Sequence, residues 1–156
     1  MTFLDKDTFK AVVANAPLVS LDLIVKDSDG HVLLGRRNNR PAKGNWFVPG
    51  GRILKGEAVD VAIERLTKDE LGRAYQLNDT SYHGLYDHFY VDSIWGDEVS
   101  THYLVNAFVL QVDPKALVLP MAQHNDYKWF TIEELLSSDE VHIHTKWYFQ
   151  ENKAYS

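Results

Sequence analysis

The chain has 156 residues, of which 45% are hydrophobic and 24% charged, proportions of a folded globular chain with a sizeable core rather than a disordered one. Sixteen basic against 22 acidic side chains leave a net charge of −6, which argues against a broad nucleic-acid or anionic-membrane surface, so any phosphate must be held by a local device. There is no cysteine, which excludes disulfides, thiolate metal sites and cysteine nucleophiles.

The length suggests one domain over residues 1–156. The acidic start, Met1 to Asp7, has no apolar signal-peptide core, and no apolar run approaches the ~20 residues of a membrane span. A cytoplasmic protein is expected.

Asp5 to Asn15 reads as a short amphipathic helix with an aspartate cap and a stripe of Phe9, Val12 and Val13. Leu18 to Lys26 is a strand, Asp27-Ser28-Asp29-Gly30 a turn, and His31 to Arg36 the returning strand of a hairpin. Asn38 to Asn45 is a loop. Phe47-Val48 is a short strand entering a Pro49-Gly50-Gly51 turn. Ala58 to Leu71 is the clearest helix, with i,i+4 pairs Glu64–Lys68 and Arg65–Asp69 and a C-cap glycine at Gly72. Tyr82–Val91 and His102–Val112 are long strands joined by a polar connection. Asp113 to Asp126 reads as an irregular loop and Tyr127–Phe130 as a last strand. Thr131 and Glu134 form a capping box on the next helix, and a final helix is expected over His144–Asn152. Hairpins with segregated helices make the class α+β, a mixed sheet between helices.

The chemistry lies between Gly51 and Gly72. A glycine turn brings backbone close to a ligand, and the following helix presents carboxylates on one face. Like charges there repel unless a cation sits among them, and oxygen ligands beside a diphosphate select Mg²⁺, with Mn²⁺ a substitute. Gly51, Glu57, Arg65, Glu70 and Gly72 occupy fixed positions of the pattern G-x5-E-x7-R-E-U-x-E-E-x-G-U, with Asp69 in place of one Glu. This segment resembles the Nudix hydrolase signature, and the resemblance implies an α/β/α sandwich with a central mixed sheet. Two positions depart from the pattern. Leu66 stands where the family has Glu, and Thr67 where it has a bulky apolar residue. The carboxylate cluster has lost its upstream member, which puts ordinary phosphorus–oxygen cleavage in doubt.

The flanks Pro17–Asp22, Asn39–Ala42, Trp46–Arg52, Glu64–Thr67, Thr101–Tyr103 and Gln123–Tyr127 resemble the GDP-mannose mannosyl hydrolase branch of that family. That resemblance implies attack by water on the anomeric carbon of a GDP-sugar, mannose or glucose, with GDP leaving and inversion at carbon. Carried over by position, Mg²⁺ would be held by the Gly50 carbonyl, Glu70 and Gln123. Arg37 and Arg52 would neutralise the leaving diphosphate, and Arg65 would contact substrate or pair on its own helix. His124 would be the base, and Asp22, His88 and Tyr103 would line the sugar and phosphate. The branch also implies a homodimer.

The residues alone leave milder alternatives. Glu57 can orient the loop rather than touch metal, His88 and Tyr103 can be sheet packing, and His142 with His144 is a weak metal pair. Trp129, Trp147, Tyr148 and Phe149 are expected in the core or a dimer contact. Two rival functions stay open: a diphosphatase releasing GMP and a sugar phosphate, and a non-catalytic nucleotide-sugar sensor.

Overall fold

The computed structural model describes residues 3–120 and 124–155, apart from the side chains of 124 and 125. The elements in order are α1 (Lys6–Asn15), β1 (Leu18–Lys26), β2 (Val32–Arg37), β3 (Trp46–Phe47), β4 (Gly50–Arg52), α2 (Val59–Leu71), β5 (Thr80–Tyr90), β6 (Thr101–Gln111), β7 (His124–Phe130), α3 (Ile132–Ser137) and α4 (Ile143–Trp147). The sheet runs β3-β2-β1-β6-β5, with β4 added to β1 and β7 to β2. The β1–β6 pair is parallel and the others are antiparallel, so the sheet is mixed and the class α+β, as expected.

The hairpin strands β1 and β2 meet only at Lys26–Val32 and then part. The freed edge of β1 pairs with β4 over Ser20–Arg52 to Asp22–Gly50. This splay opens a cleft beside the middle of β1. The two-residue period of β1 sends Leu21, Leu23 and Val25 to one face, where they pack with Ile63, Leu66 and Leu71 of α2. Ile24 points to the other face, among Tyr86, Val105, Leu135 and Tyr148. Each such aliphatic side chain contributes about 1.5–3 kcal/mol on burial. Asp22 shares the Ile24 face by the same alternation, which turns it toward the C-terminal segment.

Local chemistry explains the boundaries. Asp5 caps α1 by accepting from the Thr8 amide at 2.9 Å. Gly72 ends α2 at φ +76°, and a Cβ there would meet the Val118 carbonyl at 2.3 Å. The Thr131–Glu134 capping box opens α3 as expected.

Three readings need correction. The expected Gly50-Gly51 turn is a strand, because its backbone pairs with β1. The loop expected to reach Asp126 ends earlier: β7 starts at His124, its backbone zipped against β2 from Arg37 to Val32. The last helix is only Ile143–Trp147. His142 caps it by accepting from the His144 amide, and the chain then turns through Tyr148 to Asn152, which sits at φ +62°.

Candidate active site

A cleft of about 280 Å³ lies over the middle of β1, lined by Asp22, Arg37, Gly50, Gly51, Arg52, His88 and Tyr103, with Tyr90, Phe9, Phe47 and Asn39 around them. Seven positions singled out from the sequence therefore converge. Two other hollows, of about 570 Å³ at Lys146 and Trp147 and about 480 Å³ at Arg73 and Tyr75, hold none of them.

The close approach of β4 to β1 explains both glycines. A Cβ on Gly50 would lie 2.5 Å from Asp22 Oδ1 and 2.3 Å from the Leu21 carbonyl. A Cβ on Gly51 would lie 2.6 Å from Leu66 Cδ2. Leu66 is buried among the α2 core residues, so the position where the signature has a carboxylate is filled by packing.

Two carboxylates are held unusually high. Burial pushes Asp22 up to about 6, against a hydrogen bond from Tyr148 and the charge of Arg37. Burial, then the neighbouring Asp69, pushes Glu70 up to about 7, with Arg37 opposing and Asp22 adding to the rise. Glu70, on the last turn of α2, is 7% exposed and accepts no hydrogen bond from a described residue.

The basic residues divide into two kinds. Arg37 carries its guanidinium over Phe47 at 5.6 Å and reaches the Asn39 carbonyl. Arg52 lies over Phe9 of α1 at 4.2 Å, and burial lowers its pKa. Both face the cleft. Arg65 does not line it: Nε meets Glu57 Oε2 at 2.7 Å, and Nη2 meets Glu57 Oε1 and the Arg52 carbonyl at 2.9 Å each. Asp69 lies 3.9 Å from its Nη1, the expected i,i+4 partner. Glu57 holds the Leu54 amide as well, so the pair staples the loop ahead of α2.

The cleft wall on β5 is aromatic. His88 stacks on His144 with centroids 4.2 Å apart and planes at 12°, and burial lowers both imidazoles to about 3. His142 stacks on Phe47 at 4.7 Å and is lowered to about 4. His142 and His144 meet each other edge-on, centroids 4.6 Å apart and planes at 62°, each stacked on a residue of the cleft wall. Among the described residues the group fit to gather round a cation is Asp27, Asp29 and His31, in the β1–β2 turn, and none of them lines the cleft. There Asp27 caps the turn, accepting from the Asp29 and His31 amides.

Tyr148 and Tyr90 belong to this site and were not legible as such. Tyr148 is 2% exposed, its hydroxyl donates to Asp22 Oδ2, and it lies 3.5 Å from His88 Nε2. The sequence offered only its place in an aromatic run. Gln123 lies outside the described residues. His124 opens β7 with its backbone opposite Arg37, and its side chain is not described.

A NUDIX domain family profile matches residues 16–150. The low-salt glycan biosynthesis protein Agl8 of Haloferax volcanii is 41% identical over 129 residues, 83% of this chain and 80% of its own length. The ADP-ribose pyrophosphatase of Methanocaldococcus jannaschii is 41% identical over only 56 residues, 36% of this chain and 32% of its own. Among solved structures, the MutT NUDIX hydrolase of Burkholderia pseudomallei superposes with a TM-score of 0.70 at 22% identity, covering 88% of this chain and 99% of that one. The MutT protein of Methanosarcina mazei gives 0.68 at 20% identity, over 86% and 92%. At such identities these two establish the fold. The chain belongs to the Nudix hydrolase family.

Proposed function

We propose that this Nudix hydrolase cleaves GDP-mannose, with GDP-glucose as a further substrate, to GDP and free sugar by inverting attack of water at the anomeric carbon. The observation that carries this reading is Leu66. Its side chain is sealed into the core against Gly51, so α2 keeps the buried Glu70, within the electrostatic reach of Arg37 and Asp22, without the upstream carboxylate that completes the family signature. A reaction moved from phosphorus to carbon needs less metal charge, because a nucleoside diphosphate is already a good leaving group. A relative named for glycan biosynthesis is in keeping with an activated-sugar substrate.

The donor set fits a hard divalent cation. It is made of oxygen atoms, and the buried Glu70 carboxylate sits beside Asp69 and Asp22 with Arg37 the counter-charge that lowers it. Glu70, the Gly50 carbonyl and Gln123 would hold Mg²⁺ or Mn²⁺. When bound there, the ion supplies charge stabilisation for the departing diphosphate.

The chain's own groups supply the rest. Arg37 and Arg52, both facing the cleft, neutralise the diphosphate as the glycosidic bond breaks. Asp22, His88 and Tyr103 line the sugar and its phosphate. His124 takes the proton of the attacking water on an imidazole nitrogen, a role supported by its backbone register opposite Arg37. An inverting transfer with so good a leaving group needs a base but no separate acid. A homodimer of single-domain subunits completes the proposal.

The test is the product pair from GDP-mannose and Mg²⁺, followed by ³¹P and ¹H NMR. GDP with β-mannose supports the reading, and GMP with mannose 1-phosphate assigns the diphosphatase instead. No turnover of any nucleoside diphosphate sugar would leave a binding protein.

A further inference from the structure

Asp22 and His88 reach the cleft from different strands, and one buried atom joins them. The Tyr148 hydroxyl donates to Asp22 Oδ2 and stands 3.5 Å from His88 Nε2. An O–H that gives its proton to a carboxylate has only lone pairs left for the imidazole, so the contact is satisfied when His88 carries its proton on Nε2. The other carboxylate oxygen, Oδ1, lies against the Gly50 backbone. The residue is itself held: Tyr86 meets its ring edge-on at 4.8 Å, and the Tyr148 carbonyl lies 2.7 Å from His83 Nε2. On the far side of His88, the stacked His144 prevents the ring from swinging away.

We infer that Tyr148, from the turn after α4, is a positioning residue of the cleft, whose hydroxyl fixes both the orientation of the Asp22 carboxylate and the Nε2–H tautomer of His88. The inference rests on the reading of Asp22 and His88 as substrate-facing groups. It makes the C-terminal segment part of the active-site scaffold, since α4 exists to bring His144 and Tyr148 under β1 and β5. A purely structural tyrosine would need its ring and not its hydroxyl.

Tyr148→Phe removes that oxygen alone. The variant should keep the thermal midpoint within a few degrees and bind the product GDP within about twofold, while kcat for the substrate turned over falls about tenfold or more, the scale of losing a hydrogen bond to a charged group. In an Asp22→Ala/His88→Phe background the same change should cost less than about twofold, because both of its routes are already cut. Tyr86→Phe, which keeps the packing of Tyr148 and has no bond to Asp22, should match wild type. An equal fall in both backgrounds, or wild-type rates in Tyr148→Phe, would overturn the inference. The tautomer is read without turnover in the ¹⁵N spectrum of the histidine rings. Wild type should show His88 protonated on Nε2, with that preference lost in Tyr148→Phe. An Nδ1-protonated His88 in wild type, or an unchanged spectrum, contradicts the inference whether or not GDP-mannose is the substrate.

Discussion

Arg65 and Glu57 form a two-bond clamp, 2.7 Å from Nε to Oε2 and 2.9 Å from Nη2 to Oε1, whose second nitrogen also holds the Arg52 carbonyl. The Glu57 side chain is fully buried, whereas Arg65 is 22% exposed. The motif arginine thus shapes the loop that presents Arg52 rather than reaching into the cleft.

Removing Arg65 strands a buried carboxylate, which costs about 3–5 kcal/mol. Urea unfolding of Arg65→Ala should show a loss of that size. Arg52→Ala, which gives up an aromatic stack at the cleft, should lose about 1 kcal/mol of stability and lower kcat, because the charge it balances develops as the diphosphate leaves. The reverse ranking would contradict the clamp, and a large fall in kcat/KM of Arg65→Ala with unchanged stability would show that Arg65 serves substrate. The clamp also has a pH window. Arg65 holds Glu57 below its ordinary value, so its contribution is full above about pH 4.5 and is lost only as acid reaches the lowered folded value.

The two glycines of β4 should respond differently to alanine. At Gly50 the new methyl meets a backbone carbonyl and the Asp22 carboxylate, neither of which can withdraw cheaply. At Gly51 it meets the tip of a leucine, which can repack. Gly50→Ala should cost about 2–3 kcal/mol and most of the activity, and Gly51→Ala about 1 kcal/mol. Chemical denaturation with initial rates checks both, and equal penalties would contradict the close approach of β4 to Asp22.

Much of the framework is local and therefore legible. The run Leu18–Lys26, set between Pro17 and an Asp-rich turn, gives its strand to the residue, and the Asp5 and Thr131 caps lie where their side chains dictate. What failed depends on partners distant in sequence. Gly50–Arg52 has poor strand propensity and is a strand only because β1 offers an edge. β7 begins three residues early because β2 extends its ladder to Arg37. Tyr148 meets Asp22 across 126 residues, a contact no local pattern encodes.

His144 predicts an acid sensitivity. Its folded pKa, about 3, lies below the unfolded ~6.5, so as pH falls the unfolded chain takes the proton first. Its contribution is intact above pH ~6.5 and is lost progressively below it, by about 2 kcal/mol at pH 5. His144→Phe keeps a ring in the stack and removes the titration. The stability gap between wild type and variant should shift by that amount in the variant's favour between pH 7.5 and pH 5. Asp22 and Glu70 titrate the opposite way but are common to both proteins, so a pH-independent gap would mean His144 is solvated.

The base assignment gives a kinetic signature. A base works deprotonated, so wild-type kcat should rise with pH through the imidazole range and level off. His124→Gln should lose that limb and lower kcat by about 10²–10⁴ with a modest change in KM. Retention of both the limb and the rate would pass the role to another group, with Asp22 and His88 next in line.

Hydrolysis of GDP-mannose in ¹⁸O-labelled water, with mass analysis of both products, tests the central claim most directly. Leu66 in place of a metal-binding carboxylate predicts attack at carbon, so the label should appear in mannose and be absent from GDP. Label in any phosphate would contradict the account, returning this protein to phosphorus–oxygen cleavage while leaving its Nudix fold untouched.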